Sequence, residues 1–183
     1  MRVFTKFFVL TLAVVAISLS GAYGQTAASG VSGDSIDRQV RKKINMLPYY
    51  EVFDYITYSV NGDTVTLSGK VRNGVNKSDA ASAVKRIEGV SNVVNNIEVL
   101  PPGGFDESIR RNLLRSVANM GGLSRYLWPV NPSVRLVVDR GHVTLEGYVA
   151  NQTDSDLARM AASTVSGVFS VTNNLVVDKN RAG

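Results

Sequence analysis

The sequence predicts an α+β protein made of two αββαβ units in tandem. Three observations predict it. First, residues 65–99 recur 78 positions later as 143–177, with the same residue at 14 of 35 aligned positions. These are Val65, Thr66, Leu67, Gly69, Val71, Asn73, Ala80, Ala83, Gly89, Val90, Val93, Asn95, Asn96 and Val99. Second, each copy switches between helical and strand periodicity in the same order. Third, Pro101-Pro102-Gly103-Gly104 separates the copies. A period this long describes a small domain used twice, since solenoid repeats run roughly 20–50 residues.

The elements of the first copy follow in order. Ile36, Val40, Ile44 and Leu47 fall on one face of a helix. Asp34 is the expected N-cap, and Pro48 stops the helix. Ile56, Tyr58 and Val60 alternate with Tyr55, Thr57 and Ser59, the period of a strand. Asn61-Gly62 is expected to supply the positive φ angles of a tight hairpin. Val65, Leu67 and Val71 mark its second strand. A second helix buries Ala80, Ala83, Val84 and Ile87, and its small alanines allow close approach to a sheet. Asn76 is its expected cap, with Asp79 three residues on. Gly89 lies just past the helix end, where a left-handed residue commonly terminates it. Val93, Ile97 and Val99 form the last strand.

The second copy repeats this order. Ile109, Leu113 and Val117 line its first helix, and Val134, Leu136 and Val138 its first strand. Gly141 turns the hairpin, and Gly167 matches Gly89. The chief departure is a longer segment from Gly121 to Ser133 between first helix and first strand.

Residues 1–24 read as a cleaved signal peptide. Arg2 and Lys6 precede an uncharged, mostly apolar run from Phe7 to Leu19, and Ala22-Tyr23-Gly24 fits a cleavage site. The run is short for a membrane span, which needs roughly 20 residues. Export to the periplasm is therefore expected. The chain has no cysteine, which excludes a lipid-anchored lipoprotein and leaves stability to packing alone. Residues 25–33 read as a flexible linker, 34–100 as the first domain, 101–104 as the joint, 105–179 as the second domain and 180–183 as a tail.

The formal charge is +5. Removing Arg2 and Lys6 leaves 18 Lys and Arg against 15 Asp and Glu, a net +3. That balance does not point to nucleic acid.

The repeated motif resembles the BON domain, found in osmotically inducible periplasmic proteins and in nodulation proteins. The carrying residues are Asn61-Gly62, Val65-Thr66-Leu67-Ser68-Gly69-Lys70-Val71, Gly89-Val90, Val93, Asn95, Ile97 and Val99. In the second copy they are Gly141, Val143-Thr144-Leu145, Gly147, Val149, Gly167-Val168, Val171, Asn173, Leu175 and Val177. The resemblance covers nearly the whole mature chain. It implies a non-catalytic αββαβ module that attaches to membranes through phospholipid and protects the envelope under osmotic stress. It carries over no catalytic residue.

The residues agree that no catalytic, cofactor or metal site is expected. His142 is the only histidine, with no nucleophile signature nearby. Asp139, Asp154 and Asp156 match no calcium loop. No phosphate-binding glycine run is present. Asn95 and Asn173, set between valines, are expected to bond a neighbouring loop or helix end, because an unpaired buried amide costs roughly 1–3 kcal/mol.

The candidate partner is an anionic phospholipid surface. Arg38, Arg41, Lys42 and Lys43 on the first helix, with Arg110, Arg111 and Arg115 on its counterpart, are expected to face solvent as basic stripes. Each Lys or Arg near an anionic leaflet contributes about 1 kcal/mol. Arg125, Tyr126, Leu127 and Trp128 are expected to seat shallowly at the interface, where amphipathic rings collect. The same segment could instead pack between the domains or over the sheet. Its counterpart in the first copy is the aromatic run from Leu47 to Phe53. Self-association, an envelope protein partner, or binding of a small ligand or ion are the alternatives.

Overall fold

The computed structural model describes residues 33–182. The expected signal peptide and residues 25–32 of the linker lie outside the described residues. The first copy runs α1 (Gly33–Asn45), β1 (Tyr55–Asn61), β2 (Thr64–Val71), α2 (Gly74–Lys85) and β3 (Asn92–Val99). The second runs α3 (Gly104–Ala118), a 3-10 helix (Leu123–Leu127), β4 (Val134–Asp139), β5 (His142–Val149), α4 (Gln152–Ser163) and β6 (Ser170–Val177). The fold is α+β, with two tandem αββαβ halves.

Each half holds a three-stranded sheet in chain order. The hairpin pair is antiparallel, with Tyr58 opposite Leu67 and Leu136 opposite Leu145. The third strand runs parallel to the second, with Leu67 opposite Asn95 and Leu145 opposite Asn173. Parallel neighbours require a crossover, and α2 and α4 supply it. Ile36, Val40, Ile44, Val65, Leu67, Val71, Ala80, Val84 and Ile97 close the first core. Ile109, Leu113, Val117, Leu136, Val143, Leu145, Ala158, Ala161 and Ala162 close most of the second.

Three local expectations change. The first hairpin turns on Gly62-Asp63, and only Gly62 has a positive φ, +62°. Asn61 remains in β1. The second hairpin uses both central residues, Arg140 at φ +50° and Gly141 at +80°. The cap of α2 is Asn73, whose side chain accepts from Val75 N, and not Asn76. Asn151 caps α4 in the same way through Asp154 N, which accounts for the identity of positions 73 and 151. Finally, α1 already includes Gly33, so Asp34 lies within it.

The halves are not separate beads. β4 is buried on both faces over most of its length, unlike β1. The cover is the aromatic connector of the first copy. Phe53, 8% exposed, packs in the core of the second copy, and Val52 packs against that core. Leu136 N on the edge of β4 donates to Val52 O at 2.7 Å. A free strand edge is thereby satisfied by the other half of the molecule.

Candidate functional site

The basic first helices divide into an exposed and a buried set. Arg38, Arg41, Lys42 and Lys43 on α1 are exposed. Arg41 is partly neutralised by Asp37 at 2.9 Å and reaches Tyr58 Oη. Arg111 and Arg115 on α3 are exposed as well.

Arg110 corrects the sequence reading. It is 3% exposed and cannot meet a membrane surface. It donates to Val138 O at 2.7 Å and lies 3.5 Å from Glu107 and 4.0 Å from Asp106. Asp106 in turn accepts from Arg140 N and Gly141 N at 2.7 and 2.8 Å. The pair clamps α3 onto the second hairpin. This cluster also stabilises Arg140 in its left-handed conformation, which costs a non-glycine residue roughly 1–2 kcal/mol.

The segment 123–128 is split in the same way. Tyr126, 1% exposed, points into the second core and not toward a lipid surface. Its hydroxyl donates to Asp154 at 2.5 Å and accepts from Ala150 N at 3.1 Å. Arg125 lies on the Tyr126 ring and pairs with Asp154 at 2.7 Å. Leu127 is half-buried against the core. Trp128 is the exposed large apolar residue of this segment, at 67%, followed by Val130 at 80%, and the Arg125 side chain is 49% exposed.

Asp154 occupies the position of Asn76 in the repeat. Both are buried polar residues in the first turn of a crossover helix, and both hold their own copy's aromatic connector. Asn76 Nδ2 donates to Tyr49 O at 2.7 Å and to Asp54 at 3.0 Å. The Asp54 carboxylate also accepts from Glu51 N and Arg72 N at 3.0 and 2.6 Å. Burial raises its pKa, against those hydrogen bonds. Asn95 and Asn173 behave as the sequence suggests: their amides donate to the carbonyls of Lys77 and Ser155, tying the last strand to the first turn of the crossover helix.

The junction between the copies is polar outside and apolar inside. Arg72 bridges Glu51 at 2.9 Å and Glu107 at 3.0 Å, and Lys70 meets Asp139 at 2.6 Å. In the sequence Asp139 stands out only as a calcium candidate and Lys70 only as part of the hairpin motif, and none of these pairings is legible there. The available signal was Val137, an apolar residue at an outward position of β4 that needs a cover.

Lys70 holds the Asp139 pKa below its ordinary value of 3.8, chiefly by its hydrogen bond. The folded state then binds the proton less readily than the unfolded chain. The pair stabilises above pH 3.8 and loses that contribution as pH falls through the lower folded value. The stability gap between the wild type and Lys70→Met is expected to be steady from neutral pH to about 4 and to vanish in stronger acid. Urea midpoints across that range measure it.

A second feature of the junction is a cleft of about 680 Å³. Asn45 at the end of α1, Trp128, Val130, Arg135 and Arg181 border it, so the basic helix end and the exposed tryptophan share one rim. Arg135 donates to Glu51 O at 2.9 Å and stacks on Tyr50 with 4.1 Å to the ring centre.

Other candidates resolve into local structure. His142 Nδ1 lies 2.8 Å from Ser170 Oγ, and Asp156 takes a bond from Gln152. Among the described residues, no group of three acidic, histidine or cysteine side chains is placed to hold a metal ion. No helix among them is long and apolar enough to cross a membrane.

The family model for the BON domain matches residues 32–101 and again 105–179. Among solved structures, the chain is similar to the C-terminal domain of CdsD, the structural protein of the type III secretion system of Chlamydia trachomatis. Identity is 16%, covering 77% of this chain and 96% of that one, with a TM-score of 0.27. A second CdsD structure gives 16% identity, 77% and 91% coverage, and a TM-score of 0.28. No curated protein matches the chain.

Proposed function

Because this chain belongs to the BON domain family, with two copies in tandem, we propose that it is a non-catalytic envelope protein that binds anionic phospholipid surfaces. Its domains are residues 34–100 and 105–179, its location is the periplasm after signal-peptide cleavage, and its role is envelope integrity under osmotic stress. The single observation that carries this reading is the shared rim: the α1 end at Asn45 beside Trp128 and Val130, both largely exposed. Arg38, Arg41, Lys42 and Lys43 supply attraction to an anionic leaflet, and Trp128 with Val130 seats at the interface. Arg111 and Arg115 add charge from the second copy. Arg110 and Tyr126 hold the fold and take no part in contact.

Vesicle co-sedimentation tests the reading. The mature chain is expected to pellet with phosphatidylglycerol vesicles and not with phosphatidylcholine vesicles. The double variant Arg38→Glu, Lys42→Glu is expected to lower bound protein at least tenfold, because each reversal replaces an attraction of about 1 kcal/mol with a repulsion. Equal pelleting with both lipids, or no effect of the variant, removes the reading.

One observation favours a second reading, self-association. β3 and β6 are outermost in their sheets, with Val94 on the first and Val176 and Val177 on the second substantially exposed. Unpaired edges of this kind can join strands between chains. Light scattering at micromolar concentration distinguishes a monomer from such an assembly.

A further inference from the structure

The cleft between the copies has a composition that the membrane reading does not require. Three arginines line it, Arg125, Arg135 and Arg181, and no Asp or Glu does. Two of the three have counter-charges. Arg125 pairs with Asp154 at 2.7 Å and Arg181 with Asp178 at 3.6 Å. Arg135 is different. It is 6% exposed, and no carboxylate among the described residues lies within 4 Å of it.

A charge withdrawn from water without an ion-pair partner is costly. The Tyr50 ring and the carbonyl of Glu51 offset part of that cost, and because no side-chain nitrogen of Arg135 is both fully buried and unpartnered, the rest of its fork opens to the cleft. A guanidinium has five N–H groups, and the bond to Glu51 O is the one side-chain hydrogen bond found for Arg135 among the described residues. Burial lowers the Arg135 pKa, with Tyr50, Asp54 and Tyr55 opposing. The walls around it are flat and apolar: Tyr50, Tyr55, Tyr148 and Trp128. The volume lies within the usual range for small-ligand sites.

We propose that this cleft is a binding site for a phosphate ester carried on an apolar or aromatic body, with Arg135 at its floor and Arg181 at its mouth. The phosphate supplies the counter-charge that Arg135 lacks, and arginine's fork suits phosphate oxygens. The ring faces take the apolar body. The site does not depend on attachment to a bilayer, because the groups that form it lie between the copies. A soluble phosphate ester and the headgroup of an anionic phospholipid share this chemistry.

Trp128 is the only tryptophan in the chain and lines the cleft, so its emission reports occupancy directly. The mature chain is titrated with phenyl phosphate, with monomeric dihexanoyl phosphatidylglycerol and, as a neutral comparison, with phenol. A saturable change in Trp128 emission is expected with at least one phosphate ligand and not with phenol. A response to phenyl phosphate marks a site open to soluble esters. A response to the short-chain lipid alone marks a headgroup site. Arg135→Met, similar in length and uncharged, is expected to weaken binding at least tenfold, and Arg159→Met, an exposed position of α4 that does not line the cleft, to leave it unchanged. If Arg135→Met fails to fold, Arg181→Ala decides. Its side chain is half-exposed, and its loss is expected to weaken binding several-fold. No saturable response to either phosphate ligand, or full binding retained in Arg181→Ala and in any folded Arg135→Met, overturns the site. Vesicle binding without any soluble response overturns the cleft and leaves the membrane reading standing.

Discussion

Gly147→Ala is expected to leave the second copy unfolded. Gly147 sits on β5 at φ +108°, a conformation that L side chains rarely adopt. A Cβ there would lie 2.0 Å from Ser133 O and 3.0 Å from its carbonyl carbon. The obstacle is backbone, so no rotamer change relieves it. Ser133 O also accepts from Tyr148 N at 2.8 Å, and moving it breaks that bond at the start of the hairpin. Strain and clash together place the cost at about 4 kcal/mol or more, the range reserved for the most damaging single changes. Gly69 in the first copy has the same geometry, with φ +121° and Tyr55 O at 2.1 Å from an added Cβ. Gly69→Ala is expected to be equally severe. Urea unfolding followed by circular dichroism measures both. Gly62→Ala is the comparison: its Cβ would meet nothing within 4 Å, and only the turn conformation resists it.

Phe53→Ala is expected to destabilise the copy to which Phe53 does not belong. The ring comes from the connector after α1, yet it fills space among Ile109, Leu136 and other core residues of the second copy. Removing a buried aromatic costs about 3–5 kcal/mol, and the lower figure suits a site at an interface. The neighbouring bond from Leu136 N to Val52 O depends on the same connector. Native-state hydrogen exchange checks the prediction, with protection lost at Leu136 and across α3 and β4. Loss confined to α1, β1 and β2 contradicts it.

The repeat made the fold legible because several identities between the copies have one physical cause each. Gly69 and Gly147 permit a close strand approach. Asn73 and Asn151 cap the crossover helices. Gly89 and Gly167, at φ +89° and +88°, end the turn after them. Asn95 and Asn173 tie strand to helix. The cap of α2 is Asn73 and not Asn76, because the Asn76–Asp79 spacing imitates a capping box at a point that lies inside the helix.

The candidate surface was less legible, because helical period alone does not reveal how far a long side chain reaches back into the protein. Arg110 follows the buried face of α3 closely enough to reach Val138 O. Its i,i+4 relation to Asp106 was the local sign of a clamp. Tyr126 is buried because Asp154 awaits its hydroxyl, and Asp154 is a substitution for Asn76 that only the aligned repeat exposes. The junction was illegible for a different reason. Its partners are far apart in the chain, as Arg135 and Glu51 show, and no periodicity encodes a contact between domains.

The arrangement at the rim depends on the two copies forming one rigid body, because α1 belongs to the first and Trp128 to the second. A spin-label distance measurement between Lys42→Cys and Val130→Cys tests this most directly. The chain has no native cysteine to interfere, and both positions are exposed. One narrow distance distribution is predicted for the parent protein, broadening when Phe53→Ala is added. A broad distribution in the parent, the signature of two domains moving independently on the Pro-Gly joint, would contradict the account.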